Sequence, residues 1–107
     1  MNILEISDKI KELQEKRLEK AILIENKQYE MDMLENDIVE TVLNAVREDG
    51  KAIFTNDTAR KTEVSKRLNL QSVEMRKLMS EWKKDIDLLD IEISHQKRLY
   101  EIYLSAR

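Results

Sequence analysis

The chain has 107 residues with one Gly, no Pro and 38% charged side chains, which excludes sheets, sandwiches and barrels, whose many turns need Gly and Pro. Zero cysteines remove disulfides, thiolate metal sites and thiol catalysis, and a net charge of -3 argues against a dedicated duplex-DNA binder. A hydrophobic content of 41% is too high for a disordered tail, and 5% aromatics is too low for a base-stacking platform, so one all-α domain over 1–107 is expected. No apolar run approaches the roughly 20 residues of a membrane span. The N-terminus is amphipathic and contains acids, unlike a signal or transit peptide. A cytoplasmic protein that does not engage a membrane is the expectation.

The first helix is expected over 3–48. Ile3, Ile6, Ile10 and Leu13, then Ile24, Met31, Leu34, Ile38 and Ala45, share one heptad frame, interrupted at Arg17, Lys20, Lys27 and Thr41. Leu18, Ile22, Val42 and Val46 lie just off the frame, so the stripe drifts as in a straighter helix. Gly50, after Arg47 and Asp49, reads as the helix stop. A connector over 49–55 comes next, extended through Lys51 to Phe54. Phe54 has the place of a staple residue, and Asn56 that of an N-cap.

The second helix is expected over 56–106. Positions 68, 72, 75, 79, 82, 86, 89, 93, 96, 100 and 103 keep a 4-3 spacing, and nine of the eleven are apolar. Asn69 to Ser72 is the weak point at which a break would fall. Two helices of similar length, each about 70 Å at 1.5 Å per residue, joined by a short connector imply an antiparallel coiled-coil hairpin. Residues 29–49 hold seven acids and one base, whereas 60–84 hold eight bases and three acids. Folding at the connector is expected to set these stretches face to face, at about 0.5 kcal/mol per surface pair.

A lone hairpin buries little, and apolar residues remain outside both frames. Leu78, Leu88, Leu99 and Ile102 form a second row on the second helix, while Leu23, Met33, Val39 and Leu43 lie off the first frame. These faces call for a protein partner; a homodimer forming a four-helix bundle is expected, and docking onto a different protein is the other solution. Glu30 and Asp37, in the acidic stretch between Glu30 and Glu40, complete that candidate surface. The acidic stretch can mimic nucleic acid toward a basic groove, or simply solvate a helix face.

Catalytic chemistry finds no footing. One His, no strand-turn elbow and no glycine-rich loop leave no nucleophile site or phosphate cradle, and Asp85 and Asp87 diverge on a helix. No cofactor and no small-molecule substrate are expected. Glu92 and His95 share a helix face as in carboxylate-bridged di-iron bundles, with Glu12 or Glu15 at that level in a hairpin; the plainer alternative is an interfacial or solvated pair. Arg60, Lys61, Lys66, Arg67, Arg76 and Lys77 recur along the second helix, where they either track single-stranded phosphates or pair with the first helix. Trp82 falls in a core position. Arg60 and Arg67, seven apart, can clamp Glu48, Asp49 or an external phosphate.

Gly50-Lys51-Ala52-Ile53-Phe54-Thr55-Asn56, then Arg60, Glu63-Val64 and Arg67-Leu68, resembles the connector of small helical-hairpin proteins encoded by phages and prophages of low-GC Gram-positive bacteria. Their connector joins two charged helices through a Gly-Lys, an aromatic, a Ser/Thr-Asn pair and spaced Arg-Glu-Arg-Leu residues. The chain departs from that pattern at Asn69 to Ser72, where an acidic-Pro break is more common. The resemblance implies an accessory protein encoded near recombination and replication functions, and it carries no catalytic residues. The expected function is therefore non-enzymatic binding of a host or phage protein in nucleic-acid processing or host defence. Single-strand nucleic-acid binding in recombination is the alternative.

Overall fold

The computed structural model describes residues 2–106 and contains three helices, α1 (Ile3–Leu43), α2 (Asp57–Gln71) and α3 (Val73–Ser105). Among the described residues there is no strand, only an isolated antiparallel bridge between Val46 and Ala52. The all-α class expected from composition is the class that forms. No helix among the described residues is long and apolar enough to cross a membrane.

Helix α1 begins behind Asn2, whose Oδ1 accepts the Glu5 backbone N–H at 2.9 Å. It ends at Leu43, short of the expected Glu48. A tight turn around Gly50 is the cause. The Gly50 N–H donates to the Arg47 carbonyl at 2.9 Å, and the Arg47 N–H donates to the Lys51 carbonyl at 2.8 Å. Gly50 itself has φ 80, so these bonds close a three-residue hairpin loop around a left-handed glycine. Asp49 Oδ1 tightens the loop by accepting the Lys51 N–H at 3.0 Å, and the Ile53 N–H reaches the Ala45 carbonyl at 3.1 Å. Gly50 thus serves a β-type turn, not a helix stop. Pairing Val46 with Ala52 requires extended backbone, so α1 must end before Val46. Val39, Thr41, Val42 and Val46 are β-branched, which weakens the competing helix.

The non-helical connector therefore runs over 44–56 rather than 49–55. Asn56 takes extended backbone, and its Oδ1 accepts the Ala59 N–H at 2.8 Å to cap α2. The expected second helix is two helices. Ser72 (φ -101, ψ 8) separates them, its N–H still bonded to the Leu68 carbonyl at 2.9 Å. Arg76 brackets this joint: its Nε donates to Ser72 Oγ at 3.1 Å and its Nη2 to the Asn69 carbonyl at 2.8 Å.

The heptad spacing describes the buried faces well. Every position of the 4-3 series from Leu68 to Tyr100 is buried or half-buried, and only Tyr103 is exposed. On α1, Ile6, Leu13 and Ile38 are buried in frame, and off-frame Val42 is buried as the stripe drifts, whereas Leu18 and Ile22 are exposed.

The chain divides into two compact units, Met1–Glu25 with Met79–Arg107, and Asn26–Leu78. In the first, α1 and α3 run antiparallel, with Arg17 Nε at 2.6 Å from Asp90 Oδ1 and Lys20 Nζ at 3.1 Å from Asp85 Oδ2. Ile6, Leu13, Met79 and Ile93 are its buried apolar residues, and Gln96 is buried there too. In the second, Ile38, Val42 and Ser72 are buried. The acidic part of α1 and the basic part of α2 line one groove, with Glu35 beside Arg60 and Lys61, but no ion pair among the described residues joins them. Among the described residues, the ion pairs that join two helices are Arg17–Asp90 and Lys20–Asp85, with the base on α1 and the acid on α3. The charged side chains of the second unit pair locally instead, as Lys27–Glu30, Arg47–Asp49, Arg60–Asp57 and Arg67–Glu63. Three of these four pairs are three or four residues apart on one helix, where side chains are neighbours, and Arg47–Asp49 lies within the connector.

Candidate interaction surface

Helix α3 buries one face and leaves another open. Leu88 and Ile102 are exposed and Leu99 is half-buried, all three in the first unit. Leu78, exposed at its edge, belongs to the second unit, as do Glu30 and Asp37. The candidate partner-binding residues are thus shared between two units. Glu30 Oε2 lies 2.7 Å from Lys27 Nζ, and the Asp37 carbonyl accepts the Thr41 hydroxyl at 2.9 Å. Leu23, Met33, Val39 and Leu43 on α1 are exposed, as their off-frame positions imply.

Sequence reasoning passed over Ile91, one of the most exposed apolar side chains of α3. The signal was there. Leu88, Ile91, His95 and Ile102 recur at helical spacing on the side away from Leu89, Ile93 and Gln96.

The basic cluster separates by residue type. Arg60 donates through Nε to the Phe54 carbonyl at 3.3 Å and through Nη1 to Asp57 at 3.1 Å. Arg67 donates to Glu63 Oε1 at 2.7 Å, and its guanidinium lies over the Phe54 ring, 5.8 Å from the centroid. Arg60 and Arg67 therefore turn to Phe54 and their own helix, not to Glu48 or Asp49. Arg76 is committed to the joint at Ser72. Lys61, Lys66 and Lys77 are exposed and make no ion pair among the described residues. In the second unit, a groove of about 350 Å³ between α1 and α2 has Val39, Val42, Leu43 and Val64 in its walls beside Arg60 and Lys61.

Glu92 and His95 do not assemble a metal-ligand set with other side chains. Among the described residues no group of three or more His, Cys, Asp or Glu could hold a metal ion. Glu92 Oε1 accepts from Gln96 Nε2 at 3.3 Å, His95 is exposed, and Gln96 Oε1 is buried without a hydrogen-bond partner. Glu12 is engaged elsewhere: Lys16 Nζ lies 3.1 Å and Lys9 Nζ 3.8 Å from its carboxylate. The Lys16 hydrogen bond and the two ammonium charges hold Glu12 below the usual carboxylate range. The Asp90 carboxylate likewise raises Arg17 further.

No protein-family model, no curated protein and no solved structure matches the chain.

Proposed function

We propose that this chain is a helical hairpin that acts without covalent chemistry, by binding another protein in the cytoplasm. Its connector resembles that of the phage-type accessory proteins, and its target is then a host or phage protein of nucleic-acid processing or host defence. The observation that carries this reading is the exposed apolar row of α3, where Leu88, Ile91 and Ile102 lie open to solvent on a helix whose opposite face is already buried. A second hairpin laid on that row gives four helices, which is the route to a dimeric bundle. The surrounding charges suit a partner of mixed polarity.

The test is capture from host lysate with tagged wild type and with Leu88→Glu, each with and without nuclease. A specific protein that survives nuclease with wild type and is lost with Leu88→Glu supports the reading. Retention by both chains, or no specific protein with either, overturns it. Lys61, Lys66 and Lys77, exposed and without ion pairs among the described residues, favour single-strand nucleic-acid binding as the second reading. That reading requires oligonucleotide binding that falls steeply with salt and weakens when the three lysines become alanine.

A further inference from the structure

Helix α3 carries two series with 4-3 spacing. Met79, Trp82, Ile86, Leu89, Ile93 and Gln96 are buried or half-buried. The series displaced from it by two residues, Glu81, Lys84, Leu88, Ile91, His95 and Arg98, is exposed throughout. Two residues turn a helix by about 200°, so the second series runs along the side opposite the first. The spacing that packs α3 on α1 thus recurs on the outside as a second coiled-coil edge. At its centre Leu88 and Ile91 are 65% and 67% exposed. Glu81 and Arg98 stand at equal distances from that centre, one on each side, with opposite charges. Neither makes an ion pair within the chain among the described residues.

We infer that the outer edge of α3 pairs with the same edge of a second copy, antiparallel, about a two-fold axis between Leu88 and Ile91. This rests on the protein-binding reading and names the partner as this chain. The order of residues along the edge selects the arrangement. In this register Leu88 of each copy faces Ile91 of the other, Lys84 faces His95, and Glu81 faces Arg98 at both ends. A slip of seven residues one way sets Leu88 against Arg98 and Ile91 against His95. The opposite slip sets Leu88 against Lys84 and Ile91 against Glu81. A parallel pair sets Glu81 against Glu81 and Arg98 against Arg98. Of these arrangements, one alone joins apolar to apolar and acid to base. At its margins Asp87 falls beside Ser94 of the second copy. Asp85 and Glu92 are engaged within their own chain, by Lys20 at 3.1 Å and Gln96 at 3.3 Å. The Lys84–His95 layers add no attraction and the apolar layers are few, so the contact is weak, and its exposed ionic part is screened by salt.

Sedimentation velocity of the full chain across a concentration series tests this. Wild type is expected to pass from monomer to dimer and no further, because a two-fold contact leaves no second copy of the edge free. Glu81→Arg and Arg98→Glu each turn two attractions into repulsions, and each is expected to weaken dimerisation about tenfold at low salt. The double variant carrying both is expected to recover wild-type association, since the charges are then exchanged within each pair. Helical circular dichroism is expected to stay unchanged in all three, because both positions are exposed. Three results overturn the inference: a wild type monomeric throughout, a wild type that grows past a dimer, or a double variant as weak as the single ones. A monomeric wild type leaves capture of a different protein intact, and failed capture leaves this dimer intact, so the two readings fail separately.

Discussion

The two compact units are held together by different means. Met1–Glu25 and Met79–Arg107 are far apart in sequence, and what joins them is a spaced apolar seam with Arg17–Asp90 and Lys20–Asp85 beside it. Asn26–Leu78 is continuous, and its path is set by local chemistry: the left-handed Gly50, the Asp49 and Asn56 side chains bonded to backbone N–H groups, and Arg60 and Arg67 gathered around Phe54. Side-chain volume governs the first unit, while turn and cap geometry governs the second. Substitutions should therefore act by different mechanisms in the two.

The largest expected effect breaks the seam. Ile6 is fully buried, and Ile6→Ala should cost about 2–5 kcal/mol through lost transfer energy and the cavity left behind. Urea unfolding measures that loss, and hydrogen exchange should show protection falling first in 3–25 and 79–105 while α2 retains it. Equal loss throughout would mean that the two units unfold as one. A middle effect addresses the second unit. Asn56→Ala removes the α2 cap and should cost about 1 kcal/mol, with exchange rising near Ala59, whereas Asn56→Ser should recover most of it.

The smallest effect concerns pH and the first unit alone. Glu12 is held below its ordinary value of 4.5, so its carboxylate form is favoured in the folded state. Its contribution is complete above that ordinary value and is lost as pH falls through the lowered one. Side-chain NMR should place the Glu12 midpoint below the ordinary value of 4.5. Lys16→Ala should return it toward that value, and an unmoved midpoint would remove Lys16 as the cause.

The seam was legible because burial on a helix repeats every three or four residues, and the series from Leu68 to Tyr100 obeys that period. The Asn56 cap was legible for a similar reason, since its chemistry is complete within four residues. Gly50 was misassigned because a left-handed glycine ends helices and closes hairpins alike. Only the bonds from Gly50 to Arg47 and from Arg47 to Lys51 distinguish the two. Of the candidate surface, Leu88 and Ile102 were visible as a spare row, while Ile91 was overlooked between them. The three arginines were identified as a basic cluster because their sequence position says nothing of where a long side chain bends.

By itself the sequence determined the helical class, the faces that turn inward, and the weak point at Asn69 to Ser72. These follow from composition and short-range period, which neighbouring residues carry. Tertiary structure alone decided which charges meet. A lysine or arginine reaches several partners at nearly equal energy, and backbone placement selected Asp85 and Asp90 for α1 while leaving the arginines of the basic cluster to Phe54, Ser72 and partners on their own helices.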